Sequence, residues 1–411
     1  MKKRFQVFVP RTEVYEKFID KLNIRTEIIE LNTEKSIGYA AAEDILSPEN
    51  LPGFDKSTID GYAVIAEDTF GVSDGNPAFL KIVGEVFMGE EYIGEIKSGE
   101  CVKIPTGGML PDGANACIMI ENTKEFGKRV EIYKSVAPGE NILKKDEDVK
   151  KDSIVVKKGE KINTGHIHNL MSLGITKIKV YKKPKVCIVP TGDEVVEPSE
   201  NRIKTQIRDG NSYALMAWLK LQGIDVERYR LIKDDPEEFK EGVKWALENG
   251  DIVVISGGSS LGSKDYSLST IEHFGEVLYN GVQVKPGKPV IFGKTDEKII
   301  LGLPGNPTSF VVSSYLFLFP TIRKISGFSN FIPKVDKYVR ISTNVPTAQG
   351  RERFIFVKLE RKNNEFLAHP ILGESGIASP FRMADGIVRI PLGKEGLYKD
   401  EICEFYSFKN I

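Results

Sequence analysis

Ile252-Val-Val-Ile-Ser-Gly-Gly-Ser-Ser-Leu-Gly-Ser-Lys-Asp265 is the stretch that decides the fold class. Four consecutive β-branched apolar residues, Ile252 to Ile255, read as a strand buried on both faces, as in a parallel sheet. The glycines and serines after it let backbone N–H groups approach a ligand, which suits phosphate or another oxyanion. Asp265 adds a carboxylate, so the loop suggests phosphate held together with a divalent cation. It is not a nucleotide P-loop, because Gly262 is followed by Ser263, Lys264 and Asp265 and not by Lys-Ser/Thr. Gly258-Ser-Ser-Leu-Gly262 does satisfy the Gly-x-Ser-x-Gly elbow of serine hydrolases, with Ser260 as nucleophile.

Outward from this loop the pattern alternates. Lys185 to Val189 is a predicted strand, and Asn211 to Gln222 a predicted helix stopped by Gly223. Asp235-Pro236-Glu-Glu238 reads as a capping box with proline at the first helical position, and Asn249-Gly250 ends that helix. Lys298 to Leu301 is another strand, and Asn306, as a cap, with Pro307 opens a helix running to about Phe319. Alternation over residues 185–320 predicts parallel βαβ units with helices on both faces. Residues 50–143 differ: short β-prone runs at 79–83, 101–104, 117–120 and 130–133 lie between Gly- and Pro-rich turns, as in a small all-β insert. Residues 144–182 alternate Lys with Asp/Glu before an amphipathic helix near His166–Leu173, and residues 330–411 are again β-prone.

Composition limits the function classes. A chain of 411 residues with 41% hydrophobic and 28% charged residues is an ordinary soluble mixture. Its net charge of −1 gives no basic field for nucleic acid. The four cysteines (Cys101, Cys117, Cys187, Cys403) form no Cys-x-x-Cys pair, so no zinc site or disulfide framework is indicated and a cytoplasmic location is expected. The longest apolar run, Phe310–Phe319, is ten residues, too short to span a bilayer, and Pro10-Arg11 cuts off a signal-like start.

In an open parallel sheet, ligands bind beyond the carboxyl ends of the strands. Here those ends read Thr191-Gly-Asp-Glu194, Lys233-Asp-Asp235, Ser256 to Asp265, Lys285-Pro-Gly-Lys288 and Leu303-Pro-Gly-Asn-Pro-Thr-Ser309. Each has a plain structural reading as a turn or cap. Together they bring carboxylates, lysines and serines to one sheet edge, which predicts a phosphate and metal site.

These motifs, with Asp60-Gly-Tyr-Ala-Val64, Pro105-Thr-Gly-Gly-Met-Leu-Pro111, Glu140-Asn141 and Glu147-Asp148-Val149 upstream, resemble the MoeA family of molybdopterin molybdenumtransferases. The motifs stand in register over nearly the whole chain. The family is similar to the C-terminal region of gephyrin and to plant molybdenum-insertion domains. The resemblance implies a multi-domain α/β plus β fold: a doubly wound, MogA-like α/β domain (1–26 and 183–328), a β insert domain (49–143), an elongated linker and dimerisation domain (27–48 and 144–182), and a C-terminal β-barrel (329–411). It also implies a homodimer with a shared active site.

The implied reaction inserts molybdenum from molybdate into adenylylated molybdopterin and releases AMP, with Mg²⁺ as cofactor. An upstream molybdopterin adenylyltransferase would be a transient partner, and no nucleic acid or membrane is involved. By this resemblance Asp60, Thr106, Asp148, Glu194, Asp234 and Asp265 are catalytic, with Asp234, Asp265 and Glu194 on the metal. Ser256, Gly257, Gly258, Ser259, Gly262, Lys285, Lys288, Pro304, Pro307, Ser309, Arg351 and Ser375 bind substrate. Lysine, arginine and hydroxyl groups are what a tetrahedral dianion needs.

The chain departs from the family pattern at Asp146, where glycine is usual, at Ile65, where arginine follows the Asp-Gly-Tyr-Ala-Val motif, at Gly108, and at Gly281, basic in some members. The histidines carry no metal pattern: His166 and His168 are two apart, on different faces of a helix, His273 ends a helix, and His369 precedes proline in a turn. Three alternatives stand beside the insertion enzyme: a non-catalytic scaffold of the same fold, a tungstate-preferring insertase, and a hydrolase acting through Ser260.

Overall fold

The computed structural model describes residues 8–257, 266–362, 364–373 and 376–408. The candidate residues Gly258, Ser259, Gly262, Asp265 and Ser375, and the hydrolase candidate Ser260, lie outside them.

The strand Ile252–Ser256 is wholly buried and central. It sits in a six-stranded sheet ordered Val226–Arg228, Val186–Pro190, Ile252–Ser256, Ile299–Leu303, Ile291–Lys294, Glu276–Asn280. The first four strands run parallel, as the apolar runs predict. The last two pair antiparallel, an edge that the parallel expectation did not contain. Their sequence explains the difference: Gly293 and Lys294 interrupt the apolar run, so no fully buried strand is legible there. Helices cover both faces. One face carries Asn211–Leu221, the run Pro307–Ile325 and the N-terminal helical residues Val14, Tyr15, Phe18 and Ile19. The other carries Pro236–Asn249 and Tyr266–Phe274. Fully burying each Val or Ile of these strands contributes roughly 1.5–3 kcal/mol.

Local chemistry departs from expectation in four places. Asp235 caps its helix by accepting from the N–H groups of Glu237 and Glu238 at 3.0 and 3.1 Å. Glu238 does not close the box; its carboxylate accepts from Lys233 N–H at 3.1 Å instead. Asn306 occupies the N-cap position of Pro307–Ser313 without a side-chain capping bond. His369 lies on the strand Glu365–Pro370, 2.8 Å from Glu360, and not in a turn. The helix opened by Pro307 also outlasts Phe319, passing through a π-helical turn at Ser314–Leu318 and ending at Ile325.

The upstream β-prone runs form a second six-stranded sheet, ordered Ala116–Met119, Gly61–Val64, Glu100–Ile104, Ala78–Glu85, Arg129–Ile132, Thr123–Phe126. Ile28–Asn32 pairs antiparallel with Lys177–Tyr181, next to the helix Thr164–Ser172. Asn163 and His166 cap that helix reciprocally, a structural use for His166. At the C-terminus, five strands close into a barrel. Glu352–Lys362 pairs with Glu365–Pro370, which pairs with Lys337–Ile341, then Ile402–Ser407, then Gly386–Ile390, which returns to Glu352–Lys362.

The barrel is joined to the doubly wound sheet at one chemically important point. The short strand Val284–Lys285 pairs in parallel with the start of Glu352–Lys362, setting Lys285 opposite Arg353. Beside this pairing, buried Glu352 accepts from Arg11 Nε and Nη2 at 2.7 and 2.9 Å and also from Arg389 Nε. Trp218 seals the same interface, with ring centroids 4.7 Å from Phe319, 5.5 Å from Phe381 and 5.8 Å from Phe408.

Candidate active site

The four parallel strands, numbered by chain order, stand 2-1-3-4 across the sheet. The order reverses between Val186–Pro190 and Ile252–Ser256, and a crevice at such a reversal is where open α/β sheets bind ligands. A cleft of about 1290 Å³ opens there. Glu194, Asp234, Ser256 and Gly257 line it together with Lys285, Lys288, Pro304, Pro307 and Ser309, and Arg351 and Arg353 join from the barrel. Ten of the candidate residues inferred from sequence thus meet in one cavity.

The backbone of the first strand ends is held tightly. Thr191 N–H donates to Ser256 O at 3.0 Å and Gly257 N–H donates to Leu303 O at 3.1 Å, so three neighbouring strand ends are tied together. Gly257 has φ +113°, and a Cβ there would lie 2.5 Å from the Thr191 carbonyl oxygen. Only glycine allows that approach. Asp234 Oδ1 accepts from Thr191 Oγ1 at 3.0 Å, and Asp234 N–H donates to Asp193 Oδ1 at 3.1 Å. Its carboxylate is therefore oriented by a hydroxyl, and a hydroxyl with carboxylates is an all-oxygen set that fits a hard cation such as Mg²⁺. Among the described residues no cluster of three His, Cys, Asp or Glu assembles. Mg²⁺ needs no such cluster, since it takes one or two carboxylates and fills the rest with water and phosphate.

Asp209 also lines the cleft but is committed elsewhere. It accepts from Ser212 N–H at 3.1 Å and Arg228 Nη2 at 2.9 Å, a buried structural pair. Asn211 Nδ2 donates to Gly305 O at 2.7 Å and fixes the Pro-Gly-Asn-Pro turn over the cleft. The cations lining the cleft include two arginines that the motifs did not mark, Arg208 and Arg353. Arg208 is anchored to the carbonyls of Pro198 and Glu200 at 2.9 and 3.1 Å. Arg353 donates to Pro346 O at 2.6 Å, and burial holds its pKa below the ordinary guanidinium value. Its signal was available: residues two apart in an extended chain share a face. Arg351 and Arg353 therefore face the cleft together while Glu352 faces Arg11 and Arg389. Lys288 Nζ lies 3.9 Å from the Phe8 ring centroid, a cation–π contact that restrains this cleft-lining side chain.

Three candidates are elsewhere within this chain. Asp60 and Thr106 sit together on the β insert, where Asp60 Oδ1 accepts from Thr106 N–H at 2.7 Å and Oγ1 at 3.0 Å. Those bonds hold the exposed Asp60 carboxyl below the usual carboxylate range. Asp148 is exposed, its N–H donating to Leu51 O at 3.0 Å. None of the three lines the cleft. Gly281, where a basic residue was the alternative, has φ +104°, and a Cβ there would lie 2.4 Å from the Phe8 ring. A larger residue does not fit this chain at that point.

Known proteins share this arrangement. Residues 9–174 match the MoeA N-terminal region (domain I and II), residues 187–324 the "Probable molybdopterin binding domain", and residues 338–408 the MoeA C-terminal region (domain IV). The molybdopterin molybdenumtransferase of Haemophilus influenzae is 34% identical over 340 residues, 82% of this chain and 83% of that protein. The Staphylococcus epidermidis molybdopterin molybdenumtransferase is 30% identical over 390 residues, 94% and 93% of the two chains. The crystal structure of the MoeA molybdopterin biosynthesis protein of Pyrococcus horikoshii superposes with a TM-score of 0.80 at 38% identity, covering 98% of this chain and 100% of that one. With three family regions matched along its length and whole-length relatives above 30% identity, this chain belongs to the MoeA family of molybdopterin molybdenumtransferases.

Proposed function

We propose that this protein inserts molybdenum from molybdate into adenylylated molybdopterin, with release of AMP. The observation that carries the reading is that one cleft gathers both charge sets: the carboxylates of Glu194 and Asp234 and the cations of Lys285, Lys288, Arg351 and Arg353. A phosphoanhydride needs its charge neutralised, and a tetrahedral oxyanion needs cationic and hydroxyl donors. Asp234, Glu194 and Asp265 would hold Mg²⁺, which when bound neutralises charge on the anhydride oxygens. Ser256, Gly257, Gly258, Ser259 and Gly262 would seat the phosphate. Lys285, Lys288, Ser309, Arg351 and Ser375 would seat molybdate, with Pro304 and Pro307 shaping the turn. No side-chain nucleophile is required, because positioning and electrostatic stabilisation supply the catalysis.

Asp60, Thr106 and Asp148 complete this reading only from a second subunit. They are absent from the cleft of their own chain, so a homodimer would bring one protomer's β insert to its partner's cleft. The four-part division of the chain, with 27–48 and 144–182 as the dimerising segment, belongs to the same proposal. So do a cytoplasmic location and hand-over from an upstream molybdopterin adenylyltransferase. A pure scaffold would have no need of both charge sets in one cleft.

The test is Asp234→Asn. The amide keeps an acceptor for Thr191 but removes the charge, so Mg²⁺-dependent AMP release should disappear while the far-ultraviolet circular dichroism stays unchanged. Wild-type AMP release by this variant at limiting Mg²⁺ would overturn the assignment.

A further inference from the structure

A second cavity, of about 1010 Å³, lies at the other end of the helical run Pro307–Ile325. No residue lines both cavities: the first turn of that run faces the cleft, while Tyr315, Phe319, Ile322 and Arg323 face the second cavity. Its remaining walls come from Gly38 and Lys157–Lys161 of the elongated segment, the turn Gln222–Ile224, and Val335, Asp336 and Ser407 of the barrel.

The charge in this cavity is one-sided. Lys157, Lys161, Lys183, Arg323 and Lys334 line it, against the carboxylates of Glu160 and Asp336. Both acids have other partners: Glu160 lies 3.7 Å from His166 and accepts from Lys157 N–H at 3.2 Å, and Asp336 pairs with Lys337 at 3.7 Å. Lys183 Nζ donates to Gln222 O at 3.0 Å, the carbonyl end of a helix. Arg323 is part-buried, and among the described residues no carboxylate pairs with it. Burial lowers the pKa of Arg323. Burial and the neighbouring Arg323 charge lower that of Lys161; burial and Lys161 lower that of Lys183. In a chain whose net charge is −1, three cations gathered without matching acids are mutually repulsive and cost stability until an anion joins them.

The rest of the lining selects the kind of anion. The volume far exceeds that of a bare oxyanion and suits a small organic molecule. Tyr315, Phe319, Ile322, Phe328 and Ile332 add apolar surface to the lining. We infer that this cavity is a second ligand site, separate from the cleft, that takes a ring-bearing phosphate of nucleotide-monophosphate size, with the phosphate at Arg323, Lys161 and Lys183 and the ring against Phe328 and Ile332.

The test is equilibrium binding of AMP and of inorganic phosphate to the full-length protein, compared across variants. Wild type should bind AMP at two sites per chain. With Mg²⁺ present, Asp234→Asn should weaken only the cleft site, and Arg323→Gln only the second, each by roughly ten- to a hundredfold, the usual loss for one charge-assisted contact. Lys161→Gln, on a segment remote in sequence from the Arg323 helix, should weaken the second site in the same way and covers the case in which Arg323→Gln does not fold. Inorganic phosphate should compete at the second site more weakly than AMP by at least about tenfold, reflecting the apolar surface. A single AMP site abolished by Asp234→Asn and untouched by both second-cavity variants would overturn the inference. Equal competition by phosphate would overturn the assignment of a ring-bearing ligand. The cleft reading survives either failure, since Asp234→Asn reports on it independently.

Discussion

Glu352 holds the barrel to the doubly wound sheet, and Glu352→Gln should loosen the cleft without touching a residue that lines it. The carboxylate is 6% exposed and faces two arginines, Arg11 in a bidentate pair at 2.7 and 2.9 Å and Arg389. Burial alone would raise its pKa; the bonds and charges of Arg11, then Arg389, outweigh burial and hold it below the ordinary 4.5. Removing the negative partner leaves the part-buried Arg11 without an acid, while Arg389 keeps Glu404 at 3.0 Å; breaking a buried pair in this way costs about 3–5 kcal/mol. Trp218 reports on this interface directly, because it packs on Phe319, Phe381 and Phe408 across it. With the other tryptophan removed by Trp245→Phe, urea unfolding followed by Trp218 fluorescence should show the interface transition at lower urea in Glu352→Gln by that amount. The sign of the pH effect follows from the depressed pKa. The Glu352 contribution is fully present above about 4.5 and is lost as pH falls through the lower folded value. The gap between wild type and Glu352→Gln should therefore be constant near neutrality and close as the pH drops below 4.5. A gap under about 1 kcal/mol at pH 7, or one that widens on acidification, would refute the reasoning.

Three further outcomes follow from the cleft. Lys288→Ala and Arg351→Ala should each raise the molybdate concentration needed for insertion by roughly ten- to a hundredfold, with binding of adenylylated molybdopterin less affected; equal weakening of both ligands in titrations would reassign these residues to phosphate. Gly257→Ala places a Cβ 2.5 Å from a backbone carbonyl at φ +113°, so insertion should fall sharply and the melting temperature should drop, with a cost of about 1–3 kcal/mol from backbone strain alone; an unshifted melting curve would contradict the geometry. Asp60→Ala and Asp234→Asn homodimers should each be inactive, yet subunit exchange between them should restore about a quarter of wild-type activity, since half of randomly paired dimers carry one intact site of two; heterodimers that stay inactive would place both residues in one subunit's site.

By itself the sequence determined what depends on neighbours along the chain. The run Ile252–Ile255 marked a central buried strand because a strand covered on both faces must be apolar throughout. The loops after residues 190, 232, 256 and 303 were legible as one functional edge because parallel strands alternate with helices and so end on one side, whereas the loop after 285 reaches the same cleft from a short strand of the barrel sheet. The Pro236 and Pro307 helix starts were local chemistry as well. Tertiary structure decided what depends on partners far apart in sequence. The antiparallel edge Glu276–Asn280 and Ile291–Lys294 needed the sheet to show which strand it would join. Lys285 meets Arg353 only because Val284–Lys285 pairs with the barrel, a contact between segments almost seventy residues apart. Asp60 and Thr106 share motif strength with Asp234, yet the fold sets them on a different sheet, outside their own chain's cleft. Arg323, in no motif at all, became notable only when packing buried it beside Lys161 without an acid. Motifs record which side chains chemistry requires; distance, burial and unpaired charge arise only when remote segments are brought together.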